Sequence, residues 1–146
     1  MKKALQIPVT ILILSVAFAS VTFAQMSEKG WNKTITLSSG EVILDMNGEW
    51  ATAVEHYGSW AKYGVFPDIM EIKQEGTSFV GVTLLGSPRS PKGSEKLNGE
   101  LDKNGFKKVQ TITGGGPLDL NGEILHNGNK IIFDDGNALR LILIRR

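Results

Sequence analysis

The chain has 146 residues, with 16 Lys and Arg against 15 Asp and Glu, two His and no Cys. The lack of Cys excludes disulfides, cysteine metal ligands and a lipid-modified cysteine. The formal net charge is only +1, so the sequence lacks the excess of positive charge that is typical of proteins that bind nucleic acid or an anionic membrane surface. The length fits one small domain with a single core.

The first residues show the three parts of a cleavable secretory signal peptide in order. Lys2 and Lys3 form a short positive start, and the following run 7–18 carries no charge. Thr22 and Ala24 then stand three and one positions before a cut after Ala24. We therefore interpret residues 1–24 as a signal peptide, and we expect the mature protein to be periplasmic or secreted.

The alternative is an anchor that stays in the membrane. The uncharged stretch 4–24 approaches the roughly 20 apolar residues that a membrane-spanning helix needs. Polar residues interrupt this stretch, and no basic residue follows it directly, which favours cleavage and no membrane span afterwards. Removal of the segment takes away two lysines and no acid, so the formal charge changes from +1 to −1.

Residues 25–41 are polar and lack sustained periodicity, so we expect a flexible N-terminal segment with one short strand at 34–37. From residue 42 to 146, short apolar stretches alternate with turn signals, which predicts one β domain. The predicted strands are 42–45, 49–54, 69–74, 79–85, 96–101, 106–113, 118–125, 130–134 and 138–145.

The turns between these stretches contain Asn-Gly, Asp-Gly or another Gly-bearing pair, as at Asn47-Gly48. Tight hairpins need positive φ, which Gly adopts freely and Asn or Asp tolerate. Leu139, Leu141 and Leu143 alternate with other residues and share one face. Successive hairpins predict an all-β antiparallel meander of about eight strands, and closure into an up-and-down barrel removes its exposed edges.

Two segments lack this alternation. The stretch 55–67 is rich in aromatic residues and is expected to form an ordered loop or a single helical turn. The stretch 86–95 is rich in Ser, Pro and Gly and is expected to be an exposed loop. An Asn-Gly-Glu sequence between apolar residues also recurs at 46–50, 97–101 and 120–124, where Gly allows a neighbouring side chain to approach closely.

The sequence resembles the lipocalin-like (calycin) barrels at three places. Gly48-Glu49-Trp50 resembles the G-x-W of their first strand, and 71–81 resembles an I-x-Q-x-G … F-x-G hairpin of small bacterial members. Arg140 lies on the last strand, where these barrels place an Arg across the Trp. The resemblance covers roughly 45–145 and implies that Trp50 and either Arg140 or Arg145 close the base, with Gly48, Trp50 and Arg140 as structural residues. Avidin-like and other eight-stranded meanders remain alternatives.

Catalytic and metal-binding patterns are not evident. His126 lies in a predicted turn, and His56 is adjacent to Glu55, which a strand would place on its opposite face. The sequence 134–137 has oxygen ligands for a loose cation site, but a turn accounts for it fully. We therefore expect no enzyme activity, no metal and no cofactor.

The candidate ligand-binding residues are Tyr57, Trp60, Tyr63 and Phe66, four aromatic residues of which the first three also carry a polar O–H or N–H group. They are expected either at the open mouth of the barrel or as a plug inside it. The preferred hypothesis is an exported non-enzymatic module that binds a small apolar or amphipathic ligand. The alternative is a cell-envelope protein-interaction or inhibitor module that uses the loop 57–66. A cavity lined by apolar side chains would favour the first, and a closed interior with exposed loop aromatics would favour the second.

Overall fold

The computed structural model describes residues 29–146, so the predicted signal peptide 1–24 lies outside the described residues. In this part of the chain, no helix is both long and apolar enough to cross a membrane. The strands are β1 Thr34–Thr36, β2 Val42–Leu44, β3 Gly48–His56, β4 Val65–Glu75, β5 Ser78–Thr83, β6 Glu95–Asp102, β7 Gly105–Thr113, β8 Gly116–Leu125, β9 Lys130–Asp134 and β10 Leu139–Arg145. Two 3₁₀ helices cover Gly58–Tyr63 and His126–Gly128.

Strands β3 to β10 form a closed antiparallel barrel. Each strand pairs with the next one along the chain, and β10 pairs with β3 from Leu139 opposite His56 to Arg145 opposite Trp50. The predicted all-β, up-and-down meander of eight strands is therefore confirmed. Closure pairs every strand on both sides and leaves the barrel without a free edge strand.

The turn residues have the backbone conformations that the sequence predicts. Gly76 and Gly136 have φ of 59° and 77°, and His126 and Asn127 also have positive φ. The expected hairpin at Asn47-Gly48 is wrong, because β2 pairs with β1 while β3 pairs with β4 and β10. The first two strands thus form a separate hairpin before the barrel begins.

The aromatic stretch 55–67 divides between three elements. Strand β3 continues to His56, the 3₁₀ helix Gly58–Tyr63 follows, and β4 begins at Val65 rather than at the predicted residue 69. Pro67 argues against a strand start at this point of the sequence, because proline has no backbone N–H to donate in a sheet. It is tolerated here because pairing of β4 with β5 begins only at Met70.

The barrel interior is filled by side chains. The largest of these, Trp50, Phe79 and Phe133, are each no more than 1% exposed. Along β10 the predicted alternation is confirmed, since Leu139, Leu141 and Leu143 are buried between exposed or half-buried neighbours. Other buried apolar residues are Met70, Ile72, Leu97, Leu101, Val109, Leu120 and Ile131.

Glycines on interior-facing positions make room for the aromatic rings. A Cβ on Gly99 would lie 2.7 Å from a Phe79 ring carbon and 2.6 Å from the Lys108 carbonyl oxygen. A Cβ on Gly122 would lie 2.6 Å from Phe106 and 2.7 Å from Phe133. The Phe106 ring packs edge-on against Phe133 and Phe79, with centroid distances of 4.8 and 5.9 Å. Two of the three recurring Asn-Gly-Glu sequences therefore serve close packing, as their glycines predict.

The barrel end at which β3 begins is covered by the β1–β2 hairpin, and we call this end the base. Ile43, Leu44 and Met46 are fully buried there. The Trp50 indole N–H donates a hydrogen bond to the Met46 carbonyl oxygen at 2.9 Å. The hairpin thus covers the base with apolar side chains and is joined to the first barrel strand.

Arg145, rather than Arg140, is the arginine that packs on Trp50. Its guanidinium carbon lies 4.2 Å from the Trp50 ring centroid, and one terminal nitrogen donates to the Asp45 carbonyl oxygen at 2.6 Å. The Nε atom is buried without a hydrogen-bond partner, so the contact with the ring face has to stabilise it. Arg140 lies on the outer face of β10 at the other end, because residues 140 and 145 differ in strand parity.

We predict that Gly99→Ala destabilises the protein by about 1–3 kcal/mol, the usual cost of overpacking a core. The added methyl group would overlap with a backbone oxygen that cannot move freely. The matched control is Gly114→Ala, because no atom lies within 4 Å of a Cβ there and its φ is not positive. Urea unfolding of both variants tests the prediction. Equal stability of the two variants would show that Gly99 is not a packing requirement.

Candidate binding site at the barrel mouth

The barrel end opposite the base is formed by the loops 57–64, 84–94, 114–115 and 135–138, and we call this end the mouth. The β1–β2 hairpin lies at the base, so it leaves the mouth uncovered. Interior-facing positions of β3 and β4 continue up to this end. Val54 pairs with Phe66 and Thr52 pairs with Asp68, and both pairs share a face with the buried pair of Trp50 and Met70.

Three of the four predicted ligand-binding residues come together around His56. The His56 ring centroid lies 6.3 Å from Trp60, 5.8 Å from Tyr63 and 5.8 Å from Phe66. Trp60 and Tyr63 also meet edge to face at 6.4 Å. We call these four residues the ring cluster. Sequence reasoning did not include His56 in the binding site, although its place beside the aromatic stretch was a signal.

The orientation of the His56 ring is fixed by one hydrogen bond. His56 Nδ1 lies 2.8 Å from the Gly64 carbonyl oxygen. Because a carbonyl oxygen can only accept, Nδ1 has to carry the proton, and in the neutral ring Nε2 is then an acceptor. The backbone N–H of His56 donates to the same oxygen at 3.1 Å. These two hydrogen bonds therefore join His56, at the end of β3, to Gly64, just before β4, and close the segment that carries Trp60 and Tyr63.

Much of the apolar surface at the mouth is open to solvent. Phe66 is 55% exposed, Val65 59%, Leu85 62% and Tyr63 43%. Trp60 is half-buried and packs against the core. The rings of Tyr63 and Phe66 therefore lie at the surface of the mouth and not inside the barrel, where they would act as a plug.

Tyr57 belongs to a different arrangement on the rim. Its hydroxyl donates to Asp134 Oδ1 at 2.6 Å, and Arg140 Nε donates to Asp134 Oδ2 at 2.9 Å. The Tyr57 backbone N–H also donates to the Ala138 carbonyl oxygen at 2.8 Å. Tyr57 thus ties the segment that carries the ring cluster to the turn between β9 and β10.

The acidic turn 134–137 uses its carboxylates internally. Asp135 Oδ1 accepts the backbone N–H groups of Asn137, Ala138 and Leu139 at 2.8–2.9 Å. These hydrogen bonds lower the pKa of Asp135 despite its partial burial. Within residues 29–146, no group of three His, Cys, Asp or Glu side chains is placed to hold a metal ion.

The mouth has a polar floor beneath its apolar rim. Thr52, Thr83 and Thr111 are its buried polar residues. Asp68 Oδ2 accepts the hydroxyl of Thr83, and Asp68 Oδ1 accepts the backbone N–H groups of Ile69 and Leu85 at 2.7 and 3.2 Å. A carboxylate is therefore held at the mouth by three donors.

Lys96 lies at the same end and is half-buried. Its Nζ donates to Ser90 Oγ at 2.8 Å and to the Ile112 carbonyl oxygen at 3.3 Å. Burial lowers the pKa of Lys96, and the Asp68 carboxylate opposes this effect by raising it. Sequence reasoning missed Lys96, because the register shift between Gly81 and Val82 that changes its setting cannot be seen in the sequence.

We predict that Tyr57 ionises well above the range of an ordinary phenol. Its hydrogen bond to Asp134, together with burial and the charges of Asp134 and Asp135, raises the pKa of Tyr57 from 10.0 to about 12. The contribution of this phenol to stability is thus complete below pH 10 and is lost as the pH rises through 12. Tyrosinate absorbance measures the ionisation, since Tyr57 and Tyr63 are the two tyrosines of the chain.

The variant Asp134→Asn should move the Tyr57 ionisation back toward pH 10, because the charged acceptor is removed. Tyr63→Phe is the matched control and should leave the step near pH 12 in place. If Tyr57→Phe retains that step, the assignment to Tyr57 is wrong.

No protein-family model, curated protein or solved structure matches this chain. What the protein can bind therefore has to follow from its own side chains. One such surface is the mouth, where the ring cluster lies beside a polar floor.

Proposed function

We propose that this protein is an exported, non-enzymatic binding module whose mouth binds a small amphipathic ligand. The observation that carries the proposal is the ring cluster at the mouth. Its Phe66 faces the same side as the barrel core but is 55% exposed. Exposed aromatic surface next to fixed polar groups is typical of ligand sites in small barrels.

The filled interior indicates how a ligand would bind. Trp50, Phe79 and Phe133 occupy the barrel axis and are no more than 1% exposed. An eight-stranded barrel has an interior just wide enough for such side chains. The ligand would therefore lie across the mouth, with its apolar part on Phe66 and Trp60 and its polar part on the floor.

A second candidate function is a protein-interaction or inhibitor module of the cell envelope. The filled interior and the outward exposure of Tyr63, Val65 and Leu85 are the features expected of this second function. We rank the small ligand first because fixed polar groups lie beside the ring cluster, with Asp68 held by the backbone N–H groups of Ile69 and Leu85. Large exposed aromatics at the centre of a patch are frequent anchors of protein interfaces. The two functions use the same surface and differ in the size of the partner.

The relation to calycin barrels also stays a proposal. It is supported by the base, where Arg145 lies over Trp50 and its terminal nitrogens donate to backbone carbonyl oxygens of Asp45, Asn47 and Gly128. A contact between an Arg on the last strand and a Trp on the first is what the resemblance implies. The G-x-W of the sequence is formed by Gly48, Glu49 and Trp50 at the start of β3.

Export predicts a specific mature mass. If residues 1–24 are a cleaved signal peptide, the protein recovered from its own host should begin at Gln25. Intact-mass measurement tests this, with the chain produced without secretion as the reference. A recovered protein that retains residues 1–24 contradicts the export proposal.

The binding proposal predicts that the mouth takes up a neutral apolar probe, N-phenyl-1-naphthylamine, with an increase in its fluorescence. Phe66→Ser should weaken this binding by about tenfold, because removing one aromatic contact costs roughly 1.5 kcal/mol or more. The matched control is Ile144→Ser, which removes an apolar side chain of similar exposure (51%) from the outside of the barrel. Trp60→Ala should act in the same direction as Phe66→Ser.

Thermal melts of the same variants separate binding from folding. A fall in the melting midpoint of well over ten degrees for Phe66→Ser would show that the ring is a core residue, since 1 kcal/mol shifts the midpoint by roughly 3–6 °C. Equal probe affinity of Phe66→Ser and Ile144→Ser would remove the mouth as the binding site. Capture of a protein through the mouth, with no probe binding, would favour the second candidate function.

A further inference from the structure

We infer that the ligand of the mouth is an amphipathic anion, an alkyl chain with a carboxylate head, and that Lys96 binds this head. The inference rests on the proposed function, because it names the ligand class of the same site. Two independent features carry it, the partners of Lys96 and the charges of the two long loops around the mouth.

Lys96 is a half-buried ammonium whose hydrogen bonds go to neutral oxygens. Its partners are the Ser90 hydroxyl and the Ile112 carbonyl, which use two of its three N–H donors. Lys96 takes part in no ion pair with the residues that the structure describes. Lys96 therefore has no carboxylate within 4.0 Å there and keeps a donor for an anion.

Asp68 is the acid whose charge acts on Lys96, yet it is engaged elsewhere. Its two oxygens accept from the Thr83 hydroxyl and from two backbone N–H groups. These donors hold the carboxylate in place, outside ion-pair distance of the ammonium. Partial burial of the Lys96 ammonium without a close counter-ion is unfavourable, and a bound carboxylate would supply that counter-ion.

The two long loops of the mouth carry basic residues and no acidic ones. Loop 57–64 contains Lys62, and loop 84–94 contains Arg89 and Lys92. All three basic residues are exposed. Asp135, in the short turn 135–138, is engaged by three backbone N–H groups. These two loops therefore bring positive charge to the mouth, next to the acids Glu95 and Asp134 of the adjoining strands.

Apolar surface adjoins Asp68 at the mouth. The Leu85 backbone N–H donates to Asp68, and the Leu85 side chain is 62% exposed. Phe66 lies two residues before Asp68 on the same face of β4, a spacing of about 7 Å along a strand. An alkyl chain can thus extend from Lys96 over Leu85 and Phe66 toward Tyr63.

The test is isothermal titration calorimetry of the purified protein with decanoate and with decyltrimethylammonium, two probes with the same chain length and opposite head charges. We expect decanoate to bind at least about tenfold more tightly, the factor given by one charge-assisted hydrogen bond. Lys96→Gln should remove this preference. Lys96→Arg should retain it, and Lys73→Gln, which removes an exposed lysine near the base, should leave it unchanged.

Equal affinity for the two probes, or a preference that survives Lys96→Gln, overturns the anion inference while the neutral probe still supports a binding mouth. Loss of all binding, including that of the neutral probe, overturns the proposed function itself. Sedimentation with phosphatidylglycerol vesicles distinguishes the source of the anion. Binding to the vesicles without binding of monomeric decanoate would assign the mouth to a membrane surface and overturn the single-ligand inference.

Discussion

The width of the barrel interior is the constraint on which the rest of the structure depends. Large rings fit inside the barrel because interior-facing positions of neighbouring strands lack a Cβ, as at Gly99 under Phe79 and at Gly122 under Phe106 and Phe133. The rings then pack edge to face inside the barrel, with centroid distances of 4.8 and 5.9 Å. A filled interior stabilises the barrel, but it leaves no room for a ligand inside. A ligand would therefore have to bind at one of the barrel ends. Since the β1–β2 hairpin covers the base, the mouth is the uncovered end of the barrel.

The last strand shows how one element serves both ends. Arg145 continues the inward series of Leu139, Leu141 and Leu143 and therefore lies over Trp50 at the base. Arg140 has the opposite parity, is about half exposed and pairs with Asp134 on the rim. The family resemblance alone left both arginines open as the partner of Trp50. The period of two along a strand distinguishes them, and it could have been applied to the sequence directly.

Turn chemistry and alternation were enough to predict most barrel strands, because both are local properties of the chain. Pairing is not local, so the sequence at Asn47-Gly48 suggested a hairpin where β2 instead pairs with β1. The candidate site was predicted in part for the same reason. Trp60, Tyr63 and Phe66 are close in sequence, whereas Lys96 is brought to the mouth by the pairing of β4 with β5 and of β5 with β6, and by a register shift.

The mouth is held in one arrangement by bonds that are independent of a ligand. Tyr57 ties the 3₁₀ segment to Asp134 and Ala138, and Gly64 accepts both N–H groups of His56. A Cβ on Gly58 would lie 2.9 Å from the Asn137 carbonyl oxygen, so the segment packs directly on the opposite turn. A surface that is ordered before binding loses little conformational entropy when a ligand arrives. Even a shallow site with a few rings and one ammonium can then bind selectively, because little of its interaction energy is spent on ordering the loops.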